Sequence, residues 1–132
     1  MRQRKWERNE TEAVNLLERV FGSGGVEKVD AYANHDPFGF ADIVAIKPSY
    51  KVLFVQVKTN TFRAKHRRKY IRRLRRLPDD HAEFEVWTRV DYEGWQMSQY
   101  EPDTDEFNRY LTMETCKTEP TVEALREHFD GN

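Results

Sequence analysis

From Arg4 to Phe21 the apolar residues Trp6, Ala13, Val14, Leu17, Val20 and Phe21 recur at helical spacing and gather on one stripe. Gly22-Ser23-Gly24-Gly25 ends that helix, and the period then changes from helical to alternating. Val26 to Ala33 alternates loosely and reads as a strand, followed by a loop at His35-Asp36-Pro37-Phe38-Gly39. Ala41 to Ile46 and Val52 to Thr59 are rich in β-branched residues and flank Lys47-Pro48-Ser49-Tyr50-Lys51, which predicts a hairpin. A second helix is expected over Arg63 to Leu77, with a narrow stripe of Ala64, Tyr70, Ile71, Leu74 and Leu77, closed by Pro78. Glu83 to Val90 and Trp95 to Tyr100 alternate around Asp91-Tyr92-Glu93-Gly94, a second hairpin, with Phe84, Trp87 and Trp95 expected in the core or on a dimer surface, a base-stacking platform being the lesser alternative. Beyond Pro102 come an acidic linker, a short strand at Tyr110 to Met113 and a final helix at Val122 to Phe129. This order predicts an α/β or α+β layer fold around a mixed sheet.

The chain of 132 residues suits a single domain, residues 1–132, with a core over about 4–100 and an acidic C-terminal extension over 101–132. No apolar run approaches the roughly 18 residues of a membrane span, and the basic start lacks a signal peptide's apolar stretch. Cys116 is the only cysteine, so neither an intrachain disulfide nor a cysteine metal cluster can form. The expectation is a cytoplasmic, intracellular protein without a membrane partner.

Charge changes the picture more than length does. The formal net charge is -1, yet residues 63–77 hold nine Lys/Arg and no acid, while residues 78–132 hold four Lys/Arg against fifteen Asp/Glu. A basic segment this dense on an otherwise acidic chain points to an anionic partner met at one place, with nucleic acid the leading candidate. Arg63, Lys65, Arg67, Arg68, Lys69, Arg72 and Arg73 are the candidate backbone-binding cations, joined by Arg2, Arg4 and Lys5 at the start of the chain. A solvated helix face is the plain alternative.

The first hairpin carries the candidate chemistry. Centred on Ser49, it sets Asp42 opposite Gln56, and Lys58 shares their face because strand side chains alternate. On the first helix, at about 100° per residue, Glu10 falls within the apolar stripe, whereas Glu12 and Glu18 point mostly outward. A core-facing carboxylate needs a partner or a metal. Asp42 and the Gln56 amide oxygen are hard donors suited to Mg²⁺ or Mn²⁺, with Glu10 assisting through water or directly. Lys58 would orient or help deprotonate an attacking water and stabilise charge on a phosphate. A hydrogen-bonded Asp–Gln pair and a structural Glu10 are the alternatives.

Asp42, thirteen residues, then Gln56-Val57-Lys58 resembles the PD-(D/E)XK nuclease signature, with Ala41-Asp42 in place of Pro-Asp and Gln56 in place of the acidic residue. Within that superfamily the chain is most similar to archaeal Holliday junction resolvases. The likeness runs through Glu10-Thr11-Glu12-Ala13-Val14-Asn15-Leu16-Leu17-Glu18-Arg19, Gly22 to Gly25, Ala41-Asp42-Ile43-Val44-Ala45, Glu85-Val86-Trp87 and Gly94-Trp95. It implies a restriction-endonuclease-like αβββαβ core, a central mixed β-sheet flanked by helices. It implies Glu10, Asp42, Gln56 and Lys58 as catalytic residues, the first three around a divalent metal, and a homodimeric endonuclease acting on branched or duplex DNA. A repair, restriction or defence nuclease is the rival within the class. A catalytically reduced DNA-binding protein of the same fold is the rival outside it. His35 and Asp36 are near the metal strand in sequence but stay outside the core set, and His66 is expected on the phosphate-binding face.

Overall fold

A computed structural model describes residues 4–28, 41–49, 51–75 and 82–130. The elements are α1 (Lys5–Phe21), β1 (Val26–Lys28), β2 (Ile43–Ile46), β3 (Val52–Thr59), α2 (Ala64–Leu74), β4 (Ala82–Val90), β5 (Gly94–Glu101), β6 (Glu106–Thr112) and α3 (Thr118–Asp130). The six strands lie in one sheet in sequence order. Every neighbouring pair is antiparallel except β3 and β4, which are parallel. Parallel neighbours need a crossover, and α2 supplies it. The first six elements thus run αβββαβ around a mixed sheet flanked by helices, the fold class expected from the sequence. The continuation of β1 beyond Lys28, the loop with His35 and Asp36, and Arg2 lie outside the described residues.

Alternation along the strands fills two cores. On one face Ile43, Ala45, Leu53, Val55, Val57, Trp87, Trp95 and Met97 pack against α1 and α3. On the other, Phe84, Val86, Tyr100 and Phe107 pack against Tyr70 and Leu74 of α2. Trp87 and Trp95, both sealed from solvent, meet edge to face with centroids 5.9 Å apart. Gly94 opens β5 with φ of +128°, and a Cβ there would collide with the Thr115 carbonyl oxygen.

Three departures from the expected pattern have physical causes. Trp6 is exposed and Leu16 is buried, because the buried stripe of α1 is Asn9, Glu10, Ala13, Leu16 and Leu17. The sixth strand starts at Glu106, earlier than expected, and α3 begins at Thr118. Pro120 sits in the first turn of that helix, where its missing N–H is no loss. Residues 106–130 therefore belong to the same sheet and core: Val122, Leu125 and Phe129 of α3 are packed with Leu16 and Leu17 of α1.

Candidate active site

The β2–β3 register pairs Ile43 with Val55 and Val44 with Phe54, the Ser49-centred register read from the sequence. Asp42 extends that ladder through its N–H, which donates to the Val55 carbonyl at 2.9 Å. Its carboxylate Oδ2 then accepts the Val57 N–H at 2.9 Å, replacing a backbone acceptor and fixing the side chain at the mouth of the hairpin. Gln56 stands opposite, and its Oε1 is buried without a hydrogen-bond partner. An orphaned buried oxygen costs about 1–3 kcal/mol. Packing gives no return for that cost.

Lys58, one pleat further along β3, lays its Nζ over the Tyr70 ring of α2, 5.3 Å from the centroid. Burial pushes the Lys58 ammonium below the usual lysine range; Asp42 pulls it back up in part, and Lys69 pushes it further down. Lys58 in turn is the main cause of a lowered His66 pKa, with Lys65, Arg63 and Lys69 adding to it. The first turns of α2 thus share an electrostatic field with the hairpin.

Glu10 reaches the same field from α1. It is buried, its Oε1 lies 3.6 Å from the Lys28 Nζ of β1, and its carboxyl is pushed up to about 7. Loss of water is the largest cause, the Asp42 charge the next, and Lys28 opposes both. Electrostatic coupling therefore links Asp42 to Glu10 on one side and to Lys58 on the other. Asn9 anchors the neighbouring turn of α1, donating from Nδ2 to the Thr59 Oγ1 at 3.0 Å.

The donor set fits a hard divalent cation: the Asp42 and Glu10 carboxylates and an amide oxygen that has no other partner. Among the described residues no three His, Cys, Asp or Glu side chains form a metal-holding group, so the amide is needed to complete a three-residue set.

Lys28 has no role in the sequence reading, and Tyr70 enters it only as part of the apolar stripe of α2. Lys28 becomes a site residue only through the pairing of β1 with Ile43, and Tyr70 through the packing of α2 on the sheet. Glu12, expected to point outward, instead accepts from Arg89 Nε at 3.3 Å and Trp95 Nε1 at 3.1 Å, partners 77 and 83 residues away.

Along α2, Arg63, Lys65, Arg68, Lys69, Arg72 and Arg73 are exposed. Arg67 is half-buried with its guanidinium over the Phe62 ring at 4.8 Å. Arg75 is held by Asp105 at 2.6 Å. His66 is partly buried, and its Nδ1 has no hydrogen-bond partner.

No protein-family model matches the chain, and no curated protein matches it. The chain is similar to a solved structure of Hjc, a Holliday junction resolvase from the archaeal hyperthermophile Archaeoglobus fulgidus. The identity is 19%, the match covers 87% of this chain and 98% of that one, and the TM-score is 0.49. The chemistry of the site rests on the side chains described above. No helix among the described residues is long and apolar enough to cross a membrane.

Proposed function

We propose that this protein is a divalent-metal-dependent endonuclease that hydrolyses DNA phosphodiesters, acting on branched DNA of the Holliday junction kind as a homodimer. The observation that carries the reading is the partnerless, buried Gln56 oxygen beside Asp42, on the strand that also carries a desolvated Lys58. Asp42, Gln56 and Glu10 would hold Mg²⁺ or Mn²⁺. When bound, such a cation supplies a Lewis acid that polarises the scissile phosphate and acidifies water.

Lys58 orients the attacking water and donates to a phosphate oxygen, and its lowered pKa makes the neutral amine easier to reach for proton uptake. The exposed cations of α2 hold the DNA backbone without reading sequence, so affinity falls steeply with salt. The preference for junctions rests on the likeness of the sequence motifs to the resolvases. The homodimer follows from the need to cut two strands symmetrically.

The test is a cleavage panel of four-way junction, flap, linear duplex and single-stranded DNA with Mg²⁺ or Mn²⁺. Junctions are expected to be cut, with Asp42→Ala and Lys58→Ala each lowering the rate by about 10²-fold or more. Uniform cutting of linear duplex would remove the junction preference. Tight binding with no cutting of any DNA would leave the second reading, a DNA-binding protein that has lost catalysis. The neutral amide of Gln56 is the feature that favours that reading.

A further inference from the structure

A cleft of about 380 Å³ opens between the first turns of α1 and the β4–β5 turn. Its walls include Lys5, Arg8, Asn9, Arg89, Asp91 and Tyr92. The volume is within the range of small-ligand sites. Asn9 joins the cleft to the site, since its side chain bonds Thr59, the residue after Lys58.

The turn is fastened to the end of the catalytic strand. Asn60, at φ of +66°, donates from Nδ2 to Asp91 Oδ2 at 3.2 Å and accepts the Asp91 N–H on its Oδ1 at 2.8 Å. Its own N–H donates to the Arg89 carbonyl at 2.8 Å, and Lys5 Nζ bonds Asp91 Oδ2 at 2.7 Å.

At the tip of this fastened turn stands Tyr92, 99% exposed and at φ of +64°, a conformation that bulky side chains rarely adopt. A large aromatic ring thus stands in water on a turn tied by hydrogen bonds to Asn60, two residues after Lys58. Two cations of the cleft are already matched, Lys5 by Asp91 and Arg89 by Glu12. Arg8 is exposed and makes no ion pair among the described residues.

We propose that this cleft is a nucleotide subsite that takes one unpaired nucleotide of the DNA substrate, its base stacked on Tyr92 and its phosphate on Arg8. A base inside a duplex is covered on both faces by its neighbours and offers no face to the ring. An unpaired base at a branch or flap does, and stacking of this kind is tolerant of sequence. The subsite therefore adds affinity for branched DNA that carries an unpaired nucleotide next to the cut, beyond what the paired arms of a junction supply. It rests on the DNA reading given above.

Binding of the full chain, without metal, is measured on two probes: a labelled oligo-dT strand and a relaxed, covalently closed circular duplex. Tyr92→Ala weakens binding to the single strand about tenfold and leaves the closed duplex unchanged, while Tyr92→Phe retains single-strand affinity. Arg8→Ala lowers the salt dependence of single-strand binding by about one phosphate contact. Cys116 also lines the cleft and is exposed, so the single strand slows maleimide labelling of this one cysteine.

Equal losses on both probes, or none on either, overturn the proposal, as does labelling of Cys116 that ignores the single strand. If the wild type cuts no DNA with metal while Tyr92→Ala still separates the probes, the nuclease reading falls and the subsite stands. If junctions are cut in an Asp42-dependent way while Tyr92→Ala changes neither affinity, the subsite falls alone.

Discussion

Two carboxylates are buried on the same face of the sheet, and their surroundings are opposite. Glu85 of β4, fully sealed, accepts from Trp87 Nε1 at 2.8 Å, from the Tyr110 hydroxyl and from His128 Nε2 at 3.2 Å. Burial and the Glu85 charge hold Tyr110 well above the usual phenol range, so it stays a donor. Glu10 has one cation at 3.6 Å, a second carboxylate beside it and a raised pKa. A buried carboxylate supplied with donors on every side belongs to the architecture; one left short of them has room to take a further partner. The same contrast separates the satisfied Trp87 indole from the orphaned Gln56 amide.

Breaking the comparison at Glu85 has the largest expected effect. Glu85→Ala leaves Trp87, Tyr110 and His128 without their acceptor in a dry core and costs about 3–5 kcal/mol, read from urea unfolding. A loss under about 1 kcal/mol would mean that the network is not structural.

Glu10 is expected to behave in the opposite sense. Its folded pKa of about 7 lies above the ordinary 4.5, so the folded chain holds this proton more tightly than the unfolded chain does. The resulting stabilisation is complete below pH 4.5 and is lost as pH rises through 7. Glu10→Gln without divalent cation should therefore be about 1–2 kcal/mol more stable than the parent at high pH, the gain vanishing in acid. Melting curves across that range check it, and a pH-independent difference would contradict it.

The smallest effect sharpens the site rather than breaking it. Gln56→Glu adds a charge where the cation would sit and should tighten Mn²⁺ binding on the order of tenfold, read by calorimetry. Unchanged affinity would remove Gln56 from the ligand set.

Much of this was legible in the sequence because it depends on local rules. The Asp42–Gln56 pairing follows from an odd loop centred on Ser49, and the burial of Glu10 from helical geometry. What stayed hidden depends on long-range placement. Glu12 looked outward because its partners arrive from distant strands. Strand β6 was read late because it is an edge strand with Phe107 as its single fully buried residue, which leaves almost no alternation to see. Lys28 could be read only with the register of β1 in hand.

The packing of α3 against α1 also bears on synthesis. Arg19 of α1 pairs with Glu119, its carbonyl accepts from Arg126 at 2.9 Å, and Phe21 meets Phe129 edge to face. These contacts span 100 residues or more. On the ribosome, part of the apolar side of α1 therefore stays uncovered until residues 118–130 have emerged. This face is completed only when α1 and α3 are both present.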